Sequence, residues 1–397
     1  MPRSCSHKSF APAIQQKGPN AHVRSTQPIR GSELGNSIHA QIKLHDLEIY
    51  LQETLGSSVQ LKEVSEIGLL KEQGMKDFGY GKSLEVTYEK DGQEQHAVLS
   101  VMRGDRYGHQ FYWDRAAVLM FEHDAGVRME KHVKPLGLGY IDAEGRLVPL
   151  NKPREFFILN EKVEGCHYFE DLERIRKTGL EEADIEQARG FARWLARIHE
   201  RKLNDPDLYL RHVRRLIGDS ECIWGLVDAY PLPYKHFPPE KFKQLEKRLI
   251  DWRWKLRKYT HRLAAVHGDF HPWNVMIRSD GDFNVLDRSR GEWGDPADDI
   301  ATMTCNYFLY GLYTNLCLSG DFEKLYMAFW KEYLKETEDY EILEIIAPFY
   351  VFRGLVLANP EWYPSHPVEV REALLRFVEN VLTEPCFDYS NINTYIY

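Results

Sequence analysis

The order of sequence patterns predicts an α+β fold in which a small β-rich N-terminal lobe precedes a large, mainly helical C-terminal lobe. Three segments with alternating apolar residues are typical of successive antiparallel strands: 'SVQLKEVSEIG', 'SLEVTYEKDG' and 'QHAVLSVMRG'. Later patterns are helical, and in 'DIEQARGFARWLARIHERK' one stripe carries Phe191, Trp194, Leu195 and Ile198. A chain of 397 residues also exceeds what one hydrophobic core usually supports, which favours two lobes.

Three parts follow one another along the chain. Residues 1–40, rich in small polar and basic residues with little apolar periodicity, predict a flexible tail. Residues 41–160 predict the N-terminal lobe, with a short helix in 'DLEIYLQETLG', the three strands, a helix in 'FYWDRAAVLMFEHDAG' that ends at its glycine, and a buried strand in 'FFILNEKVEG'. Residues 161–397 predict the C-terminal lobe, where the helical patterns recur.

Composition narrows the class of protein. The net charge of −9 comes from interspersed charges without a long basic block, which argues against nucleic acid as a partner. No apolar run approaches the roughly 18 residues of a membrane span, and the N-terminus lacks the apolar stretch of a signal peptide. The six cysteines show no Cys-x-x-Cys spacing, so neither a zinc site nor a disulfide framework is indicated. We expect a soluble cytoplasmic protein without a membrane partner.

The segment 'GMKDFGYGKS', residues 74–83, ends like a phosphate-binding P-loop, but its spacing differs. A Walker loop has four residues between its first glycine and the Gly-Lys-Ser/Thr, whereas six residues separate Gly74 from Gly81. The following 'LEVTYEKDG' predicts a strand entering a hairpin instead of the helix that a P-loop requires. A P-loop ATPase is therefore nearly excluded.

The candidate catalytic and metal-binding residues lie in residues 266–301, 'VHGDFHPWNVMIRSDGDFNVLDRSRGEWGDPADDIA'. Two short predicted strands, 'NVMI' and 'FNVLD', place Asp269, Asn274 and Asp287 at or beside strand ends, where side chains converge. Phosphoryl transfer needs such a set: one Asp accepts the alcohol proton and orients the nucleophile, while Asn and a second Asp hold Mg²⁺ against nucleotide phosphates. The pattern predicts Asp269 as base and Asn274 and Asp287 as metal ligands.

The sequence 'HGDFHPWN' resembles the catalytic loop of the aminoglycoside phosphotransferase and choline kinase superfamily, whose pattern is His-Gly-Asp, four residues, Asn. The later 'VLD' and 'GDPADDIA' resemble that family's metal-binding Asp and its closing Asp-Ile/Leu-Ala. The resemblance covers about residues 55–310. It implies a bilobal protein-kinase-like fold, ATP and Mg²⁺ as cofactors with GTP not excluded, and a small-molecule hydroxyl as acceptor. It also implies that His267 and Asp299 brace the catalytic loop.

Further roles follow from the resemblance with alternatives open. The end of 'FFILNEKVEG' resembles the hinge that binds adenine through main-chain atoms, which places Glu161 and Val163 at the base. Arg290 lies where some family members carry an arginine that stabilises the transferred phosphoryl group, and the alternative is a solvated surface arginine. His199 is interpreted as packing. Arg353, inside an apolar run, is interpreted as a snorkelling core residue, with contact to the acceptor as the alternative.

The family's third strand ends in a lysine that grips the nucleotide phosphates, and this chain lacks it. The aligned position holds Ser100 or Met102, and the helix acid that pairs with the lysine aligns with Asp114. This departure leaves two hypotheses. The first is a working kinase, which the intact Asp and Asn residues favour, and the second is a catalytically silent nucleotide-binding or regulatory module.

Lys82 is a candidate replacement for the missing lysine. Glycines including Gly79 and Gly81 predict a turn between the first two strands that lets the backbone approach phosphate oxygens. A lysine at the exit of this turn is long enough to reach the α- and β-phosphates. The alternatives are a solvated hairpin lysine at this position, or Arg103 in the phosphate role.

Overall fold

A computed structural model describes residues 42–66 and 81–397 of the chain. Its contacts divide the chain into two compact units, Met1–Phe156 and Phe157–Tyr397. The predicted tail and the segment 67–80, with the first glycines of the predicted turn, lie outside the described residues. Strands and helices both occur in the described residues, which confirms the predicted mixture of helix and strand.

The first unit contains a three-stranded antiparallel sheet in the order β1–β2–β3. Its strands are β1 (Gln60–Glu66), β2 (Gly81–Lys90) and β3 (Gln93–Met102). Leu84, Val86 and Tyr88 alternate as the buried residues of β2, as expected when one face of a sheet covers a core. Asp91 and Gly92 both have positive φ and form the two-residue hairpin turn that the Asp-Gly sequence predicts.

Helix α1 (Leu44–Leu55) covers this sheet, and Leu47, Tyr50 and Leu51 bury its apolar stripe against Val86 and Tyr88. The strands β4 (Gly139–Ile141) and β5 (Leu147–Pro149) form a separate hairpin.

Helix α2 (Tyr112–Arg128) forms where predicted but does not end at Gly126, as the glycine signal suggested. A Cβ on Gly126 would lie 3.0 Å from the ring of His132, so close packing accounts for this glycine.

The prediction of a buried strand in 'FFILNEKVEG' is wrong. Residues 152–165 contain no strand, and Phe157, Ile158 and Leu159 are 94%, 82% and 91% exposed. None of the described strands pairs with this segment, so its backbone gains no sheet hydrogen bonds. A short apolar run alone does not determine a strand, because pairing and burial supply most of a strand's stability.

The second unit is mainly helical. Its helices are α3 (Tyr168–Thr178), α4 (Glu182–His199), α5 (Pro206–Gly218), α6 (Ile223–Ala229), α7 (Pro239–Leu256), α8 (Ala297–Asn315), α9 (Gly320–Thr337), α10 (Ile342–Ile345), α11 (Ala347–Ala358) and α12 (Val368–Asn380). Its short strands are β6 (Cys166–His167), β7 (Ala264–Ala265), β8 (Val275–Ile277), β9 (Phe283–Val285) and β10 (Trp293–Gly294), and 3₁₀ turns include Pro272–Asn274.

Helix α8 is the centre of this unit, since every residue from Ala297 to Leu312 is buried. It packs against α9 and α11, while α4 packs against α9 and α11 against α12. A helix buried on all sides normally carries no charge, so the two acids in its first turn require partners. None of the helices in residues 42–66 and 81–397 combines the length and apolarity of a membrane-spanning segment.

Candidate active site

The predicted catalytic loop lies between β7 and the 3₁₀ turn that precedes β8. Strand β7 pairs antiparallel with β10, with Ala265 opposite Trp293, which fixes the start of the loop. Gly268 has a φ of +86°, a conformation that is costly for residues with a Cβ. A Cβ at this position would also lie 3.3 Å from the Cβ of Arg290. The glycine of the His-Gly-Asp sequence is therefore required by both backbone conformation and space.

Asp299, in the first turn of α8, holds the backbone of this loop. Its two oxygens accept hydrogen bonds from the backbone N–H groups of His267 and Gly268, both at 2.8 Å. It also accepts from Nε2 of His199 at 3.0 Å, and Nδ1 of His199 accepts from the Tyr333 hydroxyl at 2.9 Å. Burial raises the pKa of Asp299, but these hydrogen bonds outweigh burial and leave the pKa below its ordinary value. The predicted bracing role of Asp299 is confirmed.

His199 and His267 both take part in this bracing. His199 is buried, as the packing interpretation expected, but that interpretation missed its hydrogen bond to Asp299. Nδ1 of His267 accepts from the backbone N–H of Asp269 at 3.3 Å, which confirms the predicted bracing role of His267.

The Asp269 carboxylate faces three basic side chains. Nη1 of Arg353 donates to Oδ1 at 2.5 Å, while Nε of Arg290 and Nε2 of His271 lie 3.6 and 3.7 Å from Oδ2. Burial raises the pKa of Asp269, but the charge of Arg353, with smaller contributions from His271 and Arg290, lowers it below the ordinary value. Asp269 is therefore ionised at neutral pH, with Oδ1 firmly held and Oδ2 more loosely surrounded.

Arg353 on α11 is not the snorkelling core residue that the apolar run predicted. Its side chain is buried, and Nη2 donates to the backbone oxygen of Gly268 at 2.9 Å and to Oδ1 of Asp298 at 3.1 Å. With the bond to Asp269, the guanidinium joins the catalytic loop to the start of α8. A charge without access to water is stable only when it is paired, and Arg353 has two carboxylates.

The three acids of 'GDPADDIA', Asp295, Asp298 and Asp299, each contact a different part of the fold. Asp295 accepts from Arg262 and from the Tyr209 hydroxyl at 2.9 Å, and it caps α8 by accepting from the backbone N–H of Ala297 at 3.0 Å. Asp298 pairs with Arg353, and burial raises its pKa in spite of that charge. The third acid, Asp299, holds the backbone of the His267–Gly268 loop. The N-terminus of α8 therefore supports all of these contacts.

Asn274 and Asp287 lie on the adjacent hairpin of β8 and β9, beside strand ends as predicted. Nδ2 of Asn274 donates to the backbone oxygen of Asp269 at 3.1 Å, which leaves its Oδ1 available. The backbone N–H of Leu286 donates to the backbone oxygen of Asn274 at 2.8 Å. Asp287 is the next residue in the chain, so this hydrogen bond holds its backbone close to Asn274. Asp287 has a φ of +55°, a left-handed conformation that Asp tolerates better than most residues.

The donor set fits Mg²⁺, which prefers carboxylate and amide oxygens. Within residues 42–66 and 81–397 no hydrogen bond or ion pair engages the Asp287 carboxylate. The same described residues contain no cluster of three or more His, Cys, Asp or Glu side chains suited to a metal ion. Asn274 and Asp287 would therefore supply two ligands, and phosphate oxygens and water would supply the rest.

Arg290 lies beside Asp269 and is not a solvated surface arginine, so that alternative is wrong. Its side chain is mostly buried, its guanidinium lies 5.0 Å from the centre of the Phe352 ring, and Nη1 donates to the backbone oxygen of Glu221 at 3.3 Å. The position of its Nε, 3.6 Å from Asp269 Oδ2, keeps the stabilisation of a transferred phosphoryl group as a prediction.

Residues 118–340, more than half of the chain, match the sequence profile of the phosphotransferase enzyme family (APH). The chain belongs to this phosphotransferase family. The resemblance inferred from 'HGDFHPWN' is thereby confirmed. No curated protein sequence matches the chain.

Several solved structures of small-molecule kinases are similar to this chain. A glucosamine kinase in complex with glucosamine, ADP and inorganic phosphate is 18% identical, over 51% of this chain and only 57% of that chain, with a TM-score of 0.36. An ethanolamine kinase from Plasmodium vivax is 12% identical over 86% and 81% of the two chains, with a TM-score of 0.34. A choline kinase from Streptococcus pneumoniae is 12% identical over 85% and 98%, with a TM-score of 0.32. At these TM-scores the likenesses carry no inference about this chain.

Two of the predicted nucleotide-binding residues, Gly81 and Lys82, lie at the start of β2. Gly81 is the first residue of the strand and Lys82 pairs with Val101 of β3, while Gly79 lies outside the described residues. A strand after the Gly-Lys-Ser sequence, in place of a helix, removes the P-loop alternative. The phosphate-binding roles of Gly79, Gly81 and Lys82 stay predictions.

Ser100 and Asp114, also predicted to lie at the nucleotide, both have local partners. The hydroxyl of Ser100 lies 3.0 Å from the hydroxyl of Ser83 on the neighbouring strand. Asp114 accepts from the backbone N–H of Phe111 at 2.9 Å and so caps α2. These contacts account for both residues locally, and their nucleotide roles stay predictions.

Glu161 and Val163 lie in a segment without regular secondary structure. Recognition of adenine by main-chain N–H and C=O groups requires none, so the hinge role also stays a prediction. The neighbouring side chains of Lys162 and Glu164 form an ion pair at 2.8 Å.

The sequence patterns did not reveal three residues around Asp269: Arg353 as its ion-pair partner, Asp298 as the counter-charge of Arg353, and His271 beside Oδ2. A signal existed for Arg353, because a single charge in the apolar run 'FYVFRGLVLAN' requires a buried partner. The identity of that partner, 84 residues earlier in the chain, was not predictable from local patterns.

Proposed function

We propose that this protein is a small-molecule kinase with a protein-kinase-like fold, which moves the γ-phosphoryl group of ATP to a hydroxyl group. The observation that carries the proposal is the joint placement of base and metal ligands. Asn274 donates to the backbone oxygen of Asp269, and the β8–β9 hairpin brings Asp287 next to Asn274. Such a set has the residue types and the rigidity that phosphoryl transfer demands.

Asp269 orients the acceptor hydroxyl and receives its proton. Because Arg353 holds Oδ1, the other oxygen, Oδ2, is the one that faces the acceptor. The lowered pKa of Asp269 keeps it ionised and therefore able to accept a hydrogen bond at neutral pH. A weak base suffices because the transition state of phosphoryl transfer is largely dissociative and the proton moves late.

The remaining groups stabilise negative charge on the nucleotide phosphates and on the transferred phosphoryl group. Asn274 and Asp287 would hold Mg²⁺, which would neutralise charge on the nucleotide phosphates. Arg290 adds a positive charge beside Asp269 Oδ2, where the phosphoryl group is transferred. On the nucleotide, the proposal retains Lys82 at the phosphates and the main chain of residues 161–163 at adenine.

The experiment is a screen of alcohol metabolites and aminoglycosides for acceptor-dependent ATP consumption with Mg²⁺ present. Asp269→Asn should leave nucleotide affinity nearly unchanged and lower turnover roughly 10²- to 10⁴-fold, as expected for losing a positioned base. Asp280→Asn, on the exposed turn between β8 and β9, is the control for an Asp-to-Asn change and should retain wild-type turnover. Near wild-type turnover in Asp269→Asn refutes the assignment. Nucleotide binding by the wild-type chain without transfer to any acceptor favours the silent binding module instead.

A further inference from the structure

His271 lies two residues after Asp269 in the predicted catalytic loop, beside the carboxylate oxygen that Arg353 does not hold. Its Nε2 is 3.7 Å from Oδ2 of Asp269, which is too long for a hydrogen bond. The two side chains are 27% and 12% exposed, so neither is sealed inside the protein. The ring is therefore at the edge of the site, next to the atom that would receive the acceptor proton.

The backbone of the loop determines which nitrogen of His271 carries the proton. Nδ1 accepts a hydrogen bond from the backbone N–H of Trp273 at 3.2 Å and so caps the 3₁₀ turn Pro272–Asn274. An accepting nitrogen has no proton, which excludes the imidazolium and places the single ring proton on Nε2. Burial also lowers the pKa of His271 to about 4, in agreement with a neutral ring. The ring is a neutral donor with its N–H on the side of Asp269.

Nε2 of His271 and Oδ2 of Asp269 are both open to a ligand. Among the residues that the structure describes, neither atom has a hydrogen-bond partner, and neither belongs to the buried side-chain atoms that lack one. Two accessible polar atoms 3.7 Å apart can share one neighbouring atom at hydrogen-bond distance from each.

The shared atom must accept from Nε2–H and donate to the carboxylate. A hydroxyl oxygen does both and keeps a second lone pair, whereas a phosphoryl oxygen has no proton to donate and an ammonium has no lone pair. We infer that His271 orients the acceptor hydroxyl by donating a hydrogen bond from Nε2, while Asp269 accepts the hydrogen bond of that hydroxyl. The inference rests on the proposed function and adds a second residue that positions the nucleophile.

The proton of His271 is not consumed in the reaction. The second lone pair of the hydroxyl oxygen forms the bond to the γ-phosphorus as the bond to the β,γ-bridging oxygen breaks, and ADP leaves with that electron pair. The hydroxyl proton moves to Oδ2 of Asp269, and the Nε2 proton stays on His271. The contribution of His271 is therefore orientation of the nucleophile.

Capping the 3₁₀ turn is a separate task of the same ring, and its loss has a different consequence. The backbone N–H of Asn274 donates to the backbone oxygen of His271 at 2.9 Å. A substitution that loosened this turn would move Asn274, a proposed metal ligand, and weaken the binding of Mg·ATP. A substitution that removed only the Nε2 donor would impair use of the acceptor and leave Mg·ATP affinity unchanged.

Two substitutions separate the two nitrogens of the ring. His271→Asn places an amide oxygen near the position of Nδ1, so it keeps the cap and loses the outer donor. His271→Gln places an amide N–H near the position of Nε2. With an acceptor that the wild-type chain phosphorylates, kcat/KM for that acceptor should fall roughly 10- to 100-fold in His271→Asn, and His271→Gln should restore most of it.

Mg·ATP affinity, measured by calorimetry, should equal the wild-type value in both variants, and a thermal melt of each identifies a folding defect. His261→Asn, at a histidine whose side chain is 62% exposed, is the control and should change neither quantity. Wild-type kcat/KM in His271→Asn overturns the inference. Equal losses of kcat/KM in His271→Asn and His271→Gln overturn it as well, as does a loss of Mg·ATP affinity that accounts for the lower kcat/KM.

The tautomer of His271 provides a test that needs no acceptor. In long-range ¹H–¹⁵N correlation spectra of the chain labelled with ¹⁵N-histidine, the signals of His271 are those that disappear in His271→Asn or His271→Gln. They should show a protonated Nε2 and an unprotonated Nδ1, and a protonated Nδ1 overturns the inference while leaving the kinase assignment intact. Absence of transfer to every acceptor, with residual ATP hydrolysis identical in Asp269→Asn, refutes the proposed function and the inference with it.

Discussion

Replacing Arg353 by Met should destabilise the protein strongly. The substitution keeps the length of the side chain but removes a buried charge that pairs with Asp269 and Asp298 and bonds the backbone oxygen of Gly268. Removing one partner of a buried ion pair costs about 3–5 kcal/mol, because the other partner stays buried without compensation. At about 2–4 °C per kcal/mol for a domain of this size, the midpoint of thermal unfolding should fall by about 6–20 °C.

Urea and thermal unfolding of the purified variant measure the loss. Arg371→Met is the matched control, because Arg371 is equally buried but, among the residues that the structure describes, donates only to the backbone oxygens of Ala358 and Tyr363. Losing those neutral acceptors should cost about 1–3 kcal/mol. Adding Asp298→Asn to Arg353→Met should recover about 0.5–3 kcal/mol, since an amide needs no counter-charge. An Arg353→Met variant no less stable than Arg371→Met would refute the charge argument.

Three other predictions concern the metal, the phosphates and pH. Asp287→Asn, which tolerates the left-handed backbone, should weaken Mg-dependent nucleotide binding by more than about tenfold in calorimetry, and unchanged affinity would contradict the metal role. Lys82→Ala should lose nucleotide affinity while Arg103→Ala does not, and the reverse result assigns the phosphates to the arginine. Burial lowers the pKa of His271 and His366 to about 4 in the folded chain. As pH drops from about 6.5 to about 4, the unfolded chain therefore binds protons before the folded chain does, and the urea midpoint should fall. A constant midpoint between pH 7 and 5 would contradict this prediction.

Local chemistry explains what the sequence predicted correctly. The Asp91-Gly92 turn and the short strands around Asn274 and Asp287 depend on neighbouring residues, and the structure confirms them. The same holds for the amphipathic helix α4, whose buried stripe includes Phe191 and Leu195.

Features that depend on distant partners were not predictable. The run 'FFILNEKVEG' has strand composition, yet none of the described strands pairs with it, so the expected burial did not follow. Arg353 has the pattern of a core residue with a solvated end, and only the folded contact with Asp269 reveals its role.

The support of the site by α8 has a consequence for folding. Asp299 bonds the loop 32 residues earlier and His199 100 residues earlier, while Arg353 reaches Asp269 across 84 residues. Contacts of such separation form only after the intervening chain has been ordered, because closing long loops costs entropy before any contact repays it. Asp269 and its loop therefore acquire their geometry only when α4, α8 and α11 have docked. A partly folded chain, even one with its helices formed, has the sequence motif but not the arrangement of side chains around Asp269.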